Sequence, residues 1–268
     1  MKKVIVVLLA AMLIFTGCGS KTDGGATSKV DQIKAAGKLV VYTNAEFPPY
    51  EFMQGNEIVG VDVEIGKAIA QELGVELEMV NATFDGIIAS IASGKGDLGI
   101  SGFTITDERK EEVDMSVPYV DSVQYIILPE DSDVSVMEDL AGKSVGAQLG
   151  TTGEMLVQGE VDSGVLAGKD ATVQPYSSAP LAMQDLVIGR ISGVVIDELV
   201  AQAIAKENPG YKAIPLVYES GAPVTEQFGA ALKKGNEDLL EVVNNVISGM
   251  VSEGLITEYI KQYEAISQ

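Results

Sequence analysis

The chain has 268 residues, 46% hydrophobic and 21% charged, enough to bury one or two cores as a soluble globular protein. Acidic residues outnumber basic ones 39 to 18, for a net charge of -21; nucleic acid and anionic membrane surfaces, which need a basic face, are poor partners. Histidine is absent and Cys18 is the one cysteine, which excludes histidine triads, Cys–His pairs, an intramolecular disulfide and nearly every zinc site.

Lys2 and Lys3 precede an apolar run over residues 4–15 that is too short to span a bilayer but suits a signal peptide. It ends in Phe15-Thr16-Gly17-Cys18. This resembles a bacterial lipobox, although Phe15 stands where leucine is more usual. The resemblance implies a lipoprotein signal over residues 1–17 and a lipidated Cys18, whose two acyl chains give stable anchoring. Residues 18–29, small, polar and Gly-rich, read as a flexible tether.

The pattern then predicts a helix over 30–36 closed by Gly37, and a buried strand over 39–43. Residues 44–50 contain Pro48 and Pro49, which exclude both helix and ladder and so predict a fixed loop. Apolar positions 61, 65, 69 and 73, with Ala68 beside them, make one helical face that stops at Gly74. A strand over 75–80, a helix over 84–93 before Gly94, and a strand over 98–100 complete a βαβαβ run, the signature of a parallel sheet.

That last strand feeds Ser101-Gly102-Phe103-Thr104-Ile105-Thr106-Asp107-Glu108-Arg109-Lys110. Thr106 is a good N-cap, which puts Arg109 in the first helical turn. The helix dipole disfavours a cation there, yet a guanidinium beside threonine hydroxyls suits bidentate capture of a carboxylate. The competing reading is a solvated arginine among Asp107, Glu108, Lys110, Glu111 and Glu112.

A second α/β series follows, with strands over 125–128, 144–147, 173–176 and 193–196 and helices over 152–157, 179–188 and 198–207. The pattern breaks near 218–224 at Gly221 and Pro223. A strand over 228–232 and helices over 237–253 and 257–266 close the chain. The whole reads as two α/β lobes crossed twice by the chain: lobe 1 from residues 30–124 and 225–268, lobe 2 from 125–224.

Three motifs fail on context. Gly94-Lys95-Gly96-Asp97-Leu98-Gly99 has the dinucleotide spacing but follows a helix and precedes a strand, the reverse of what that chemistry needs. Gly142-Lys143-Ser144 lacks the earlier glycine of a phosphate loop, Met137 standing in its place. Asp131-Ser132-Asp133 lacks the glycine and terminal glutamate of a calcium loop. No cofactor and no metal are expected.

Three segments, Thr43–Glu51, Gly60–Lys67, and Ser101–Arg109 continued to Ser116-Val117-Pro118-Tyr119, resemble the solute-binding proteins of bacterial polar amino-acid ABC importers, family 3. The similarity runs over residues 37–265. It implies a venus-flytrap, type II periplasmic-binding-protein fold with two crossovers. Such a protein binds one free L-amino acid between its lobes and delivers it to a membrane permease, as a monomer outside the cytoplasm.

By the same resemblance Arg109 and Thr104 take the ligand's α-carboxylate, with Gln148, Thr151 and Thr152 closing from a helix start in lobe 2. Asp197 takes the α-ammonium, aided by a backbone carbonyl of Ser101 or Gly102, and Phe47 and Phe84 sandwich the side chain. Asn44 and Gln148 stand where relatives vary with their ligand, which favours a polar neutral or basic amino acid. Thr151–Thr152 and Asp197 also read as plain N-caps, and the two phenylalanines as ordinary core. The alternatives are an enzyme on this scaffold, resembling cyclohexadienyl dehydratases with Glu46 as acid, or a ligand-sensing domain.

Overall fold

The computed structural model describes residues 28–267; the predicted signal segment, Cys18 and the tether up to residue 27 lie outside them. The first lobe begins with α1 (Lys29–Ala36), where the Ser28 hydroxyl accepts from the Asp31 N–H and Gly37 at φ +73° ends the helix. β1 (Lys38–Thr43) follows, then β2 (Glu46–Phe47), β3 (Glu51–Gln54) and β4 (Glu57–Val59) as a small antiparallel sheet. α2 (Val61–Leu73), β5 (Glu76–Asn81), α3 (Phe84–Ala92), β6 (Leu98–Gly99), α4 (Asp107–Glu112) and β7 (Val113–Met115) complete this passage.

The second lobe holds β8 (Val120–Pro129), a 3-10 turn at Met137–Leu140, β9 (Ser144–Gln148), α5 (Thr152–Asp162), β10 (Thr172–Tyr176), α6 (Ala179–Val187), β11 (Gly193–Asp197), α7 (Glu198–Glu207) and β12 (Tyr211–Pro215). The chain returns through β13 (Thr225–Phe228) to β14 (Ala231–Lys233), α8 (Glu237–Ser252) and α9 (Leu255–Ile266).

Each lobe is built on its own sheet. The first runs β5-β1-β6-β14-β7 and the second β10-β9-β11-β8-β12. β1 lies parallel to β5 and β6, and β9 parallel to β10 and β11. Helices cover these strands, so β11 is buried along its whole length and reads as an unbroken Gly-Val-Val-Ile run rather than an alternation. On α2 the i, i+4 series Val61, Ile65, Ile69 and Leu73 is buried, as is Leu239, Val243, Ile247 and Met250 on α8; each is one apolar stripe turned to the core.

The lobes are joined through β8 and β13. The first half of β8 pairs antiparallel with β13, Val120 opposite Phe228 and Val123 opposite Thr225, while its second half belongs to the lobe 2 sheet. β13 is stitched in turn to the stretch before α4, by the Ile105 N–H on the Gln227 carbonyl (2.8 Å) and the Gly229 N–H on the Phe103 carbonyl (2.9 Å). The interlobe connection and the arginine-bearing stretch therefore form one hydrogen-bonded unit.

Some predicted elements are revised. Pro48 and Pro49 stay out of any ladder, but Glu46 and Phe47 just before them pair with Phe52 and Glu51. The predicted strand over 228–232 divides at Gly229–Ala230, where the Ala230 N–H goes to the Ser116 hydroxyl (2.8 Å) as the chain passes into the first lobe's sheet. β3, β4 and β7 had no sequence signal, being three or four residues long and too short for a period to register; β12 was missed as well, being half-buried along most of its length without alternation.

Gly60 shows how tightly the small sheet meets α2. Its φ is +133°, and a Cβ there would lie 2.1 Å from the Tyr50 carbonyl oxygen. Gly60→Ala is expected to cost about 2–4 kcal/mol of unfolding free energy in urea melts; a loss below about 0.5 kcal/mol would contradict this packing.

Candidate functional site

Where the lobes meet, one cleft is walled by Asn44, Phe47, Phe84, Gly102, Thr104, Arg109, Gln148, Thr151, Thr152 and Asp197. It is narrow, with about 300 Å³ of unfilled space. A larger concavity, about 1180 Å³ by the same measure, lies on the second lobe between α6 and α7, but only one lobe lines it and its Arg190 is already paired with Asp185 (3.1 Å).

Arg109 is buried, 6% exposed, while Asp107, Glu108, Lys110, Glu111 and Glu112 around it are exposed. This excludes the solvated reading. Thr106 caps α4 by accepting from the Arg109 N–H (3.2 Å), which aims the side chain back toward the cleft. One guanidinium nitrogen donates to the Thr104 carbonyl (2.7 Å) and the other to the Gly150 carbonyl across the cleft (3.1 Å). The guanidinium carbon sits 5.1 Å from the Phe103 ring and 5.7 Å from the Phe84 ring, contacts worth about 1 kcal/mol each.

Among the described residues no carboxylate forms an ion pair with Arg109. Burial lowers its pKa to about 10, opposed by the charges of Glu226, Asp197 and Glu108. A desolvated cation with unused donors at a cleft wall is an anion-binding group.

Asp197 is buried at the end of β11, in the N-cap position of α7, yet its side chain makes no cap bond there. It accepts instead from the Ser122 hydroxyl on β8 (3.0 Å). Burial, then the charge of Glu226, pushes its pKa well above the usual carboxylate range. Thr151 does cap its helix, accepting from the Glu154 N–H (3.2 Å) and donating to the Gln148 carbonyl (2.6 Å).

The remaining residues play separate parts. Gln148 donates across the cleft to the Asn44 side-chain oxygen (3.0 Å), and Asn44 donates to the Ala82 carbonyl (2.9 Å), so two amides close one end. Gly102, at φ +53°, leaves room for Phe47, whose ring would lie 2.7 Å from a Cβ there. Phe84 stacks on Phe103 at 4.8 Å. Ser101 does not line the cleft; its hydroxyl donates to Glu51 (2.7 Å) and accepts from the Asn44 N–H (3.0 Å).

A model of the bacterial extracellular solute-binding proteins, family 3, matches residues 39–265. The chain belongs to that family. It is 34% identical to the L-cystine-binding protein TcyJ of Escherichia coli over 93% of this chain and 90% of that one. It is 31% identical to the arginine-binding extracellular protein ArtP of Bacillus subtilis over 87% and 92%. Among solved structures, the Streptococcus pneumoniae substrate-binding protein AbpA bound to L-arginine aligns with TM-score 0.81 and 33% identity, over 88% of this chain and 98% of that one. An ancestral amino-acid-binding protein that is a precursor of cyclohexadienyl dehydratase aligns with TM-score 0.78 at 34% identity, over 88% and 99%.

Three acids around this family cleft escaped the sequence reading. Glu226 on β13 accepts from the hydroxyls of Thr104 (2.7 Å) and Thr152 (2.9 Å), so both hydroxyl protons point at it. Its one available signal was a charge at the start of the predicted return into the first lobe. Glu51 and Asp62 are fully buried beneath Ser101–Gly102. One Asp62 oxygen accepts from the Gly102 N–H (2.8 Å) and the Tyr119 hydroxyl (3.0 Å), while the other, with Glu51 Oε2, has no partner that carries its own hydrogen.

A proton held by Glu51 and donated to Asp62 satisfies both oxygens. Burial is the main cause that raises both pKa values, Asp62 to about 6 and Glu51 well above its ordinary value, with the Asp62 charge the next cause for Glu51. Because the folded values lie above the unfolded ones, this pair favours folding in acid, and that contribution is lost as pH rises through about 6 and beyond. Glu51→Gln is expected to flatten the fall in stability between about pH 5 and about pH 8, by up to about 1.4 kcal/mol per pH unit in urea melts. An unchanged pH slope would refute the shared proton.

Proposed function

We propose that this chain is the substrate-binding lipoprotein of an ABC importer. It binds one free L-amino acid in the interlobe cleft and presents the closed form to its permease. The observation that carries this reading is that Arg109 and Asp197, one from each lobe, wall the same narrow cleft. An amino acid is a zwitterion, and a buried guanidinium faces its carboxylate while a buried acid faces its ammonium. Each lobe holds one end, so binding free energy favours closure. With so little free space in the closed cleft, entry and release require the lobes to part.

The amides of Asn44 and Gln148 at one end, with the aromatic faces of Phe47 and Phe84, favour a polar neutral or basic side chain. The lipobox-like segment ending in Cys18 supports a lipid anchor on the outer face of the bacterial cell membrane. The protein acts as a monomer and does no chemistry on its ligand: Glu46, the acid considered for a dehydratase, is exposed at the outer rim of the cleft.

Native mass spectrometry of the purified chain is expected to reveal a copurified amino acid, recovered unchanged. Arg109→Ala and Asp197→Asn are each expected to weaken amino-acid binding about a hundredfold or more in calorimetry, with circular dichroism reporting an intact fold. Affinity within about threefold of the parent would remove the altered residue from the site.

A further inference from the structure

β8 brings two acids together from elements far apart in sequence. Asp197 on β11 lies opposite Gln124 of β8, and Glu226 on β13 lies opposite Ser122 of β8. Ser122 and Gln124 are two residues apart, so they share a face of the strand, and their cross-strand partners project to that same face. Both acids are buried, 6% and 9% exposed. Each is anchored separately, Asp197 by the Ser122 hydroxyl and Glu226 by the hydroxyls of Thr104 and Thr152, and the two carboxyls lie within hydrogen-bonding reach of one another.

We propose that Glu226 is a second acid of the ammonium site: Asp197 and Glu226 hold one proton between them, and an incoming α-ammonium takes its place, so ligand binding expels a proton to solvent. This rests on the amino-acid reading of the cleft. Two adjacent buried carboxylates repel strongly in a low-dielectric site, and one shared proton relieves that repulsion. The direction in which burial and the Glu226 charge shift Asp197 agrees.

The groups facing the pair do not supply the missing positive charge twice. Arg109 from α4 is the cation they act on, Tyr50 and Glu51 at the turn into β3 are neutral or acidic, and α5 offers the Thr152 hydroxyl. Arg109 with a singly protonated pair sums to zero. An ammonium seated between the two carboxylates does the proton's work and frees it. A second positive charge on the guest's side chain balances the ionised pair completely, so basic amino acids expel the proton more fully than neutral ones.

The test is a screen of the protein L-amino acids and L-cystine against the full chain. Calorimetry follows on those that bind, histidine excepted because its own ring titrates, each in two buffers of different ionisation enthalpy. Binding is expected to release up to about one proton near neutral pH, and affinity to fall by up to about tenfold per unit as pH drops. Glu226→Gln, which keeps an acceptor for both threonines, is expected to abolish the buffer dependence and flatten the pH profile.

Binding by the parent with no buffer dependence between about pH 5 and about pH 8 overturns the proposal and leaves the amino-acid reading standing. Proton release that persists in Glu226→Gln does the same. If no amino acid binds the parent at either end of that range, the amino-acid reading falls and takes this one with it.

Discussion

A guanidinium removed from water, with no carboxylate of its own to pair with, is the constraint on which this cleft depends. Burying an unpaired cation costs several kcal/mol even after relaxation. The protein offsets that cost with the Thr104 and Gly150 carbonyls and with the faces of Phe84 and Phe103. Acids stand near but not in contact. A fully paired arginine has nothing left to offer a ligand; a fully unpaired one would not stay buried. Arg109 is held between those limits, and one of its two carbonyl partners belongs to the opposite lobe.

That interlobe bond is one of several that tie ligand chemistry to lobe position. Asn44 and Gln148 also meet across the cleft, and Thr104 and Thr152 converge from opposite sides on one Glu226 oxygen. Glu226 sits on β13, and Ser122, which holds Asp197, sits on β8, the two strands that connect the lobes. Beneath the first lobe's wall, Glu51 and Asp62 hold the Ser101–Gly102 turn through one hydroxyl and one N–H. Buried polar networks of this kind fix a geometry only when every member is satisfied, which a proton between these two carboxyls accomplishes.

Much of this was legible before any coordinates. The 61–73 helix, its stop at Gly74 and the strand before Asp197 are written in apolar spacing and glycine placement. Arg109 stood out because a cation in a first helical turn contradicts the dipole rule, and the structure resolves the contradiction by turning that residue alone inward. Asp197 was ambiguous between a cap and a ligand group; its side chain makes no cap bond and accepts from Ser122 instead. Ser101 was proposed for its backbone carbonyl, and its hydroxyl, which the sequence left unassigned, serves Glu51.

By itself the sequence determined the longer elements, the class of fold, and a short roster of charged and aromatic residues suited to a zwitterion, because helix and strand periods and capping chemistry are local. Only the tertiary structure decided which of them face one another. Glu226 lies 122 residues from Thr104 and 74 from Thr152, and its local sequence does not point to either. Its place follows from the register of β13 against β8. A pairing register is set by long-range packing, and a slip of one residue would turn that carboxylate to the other face.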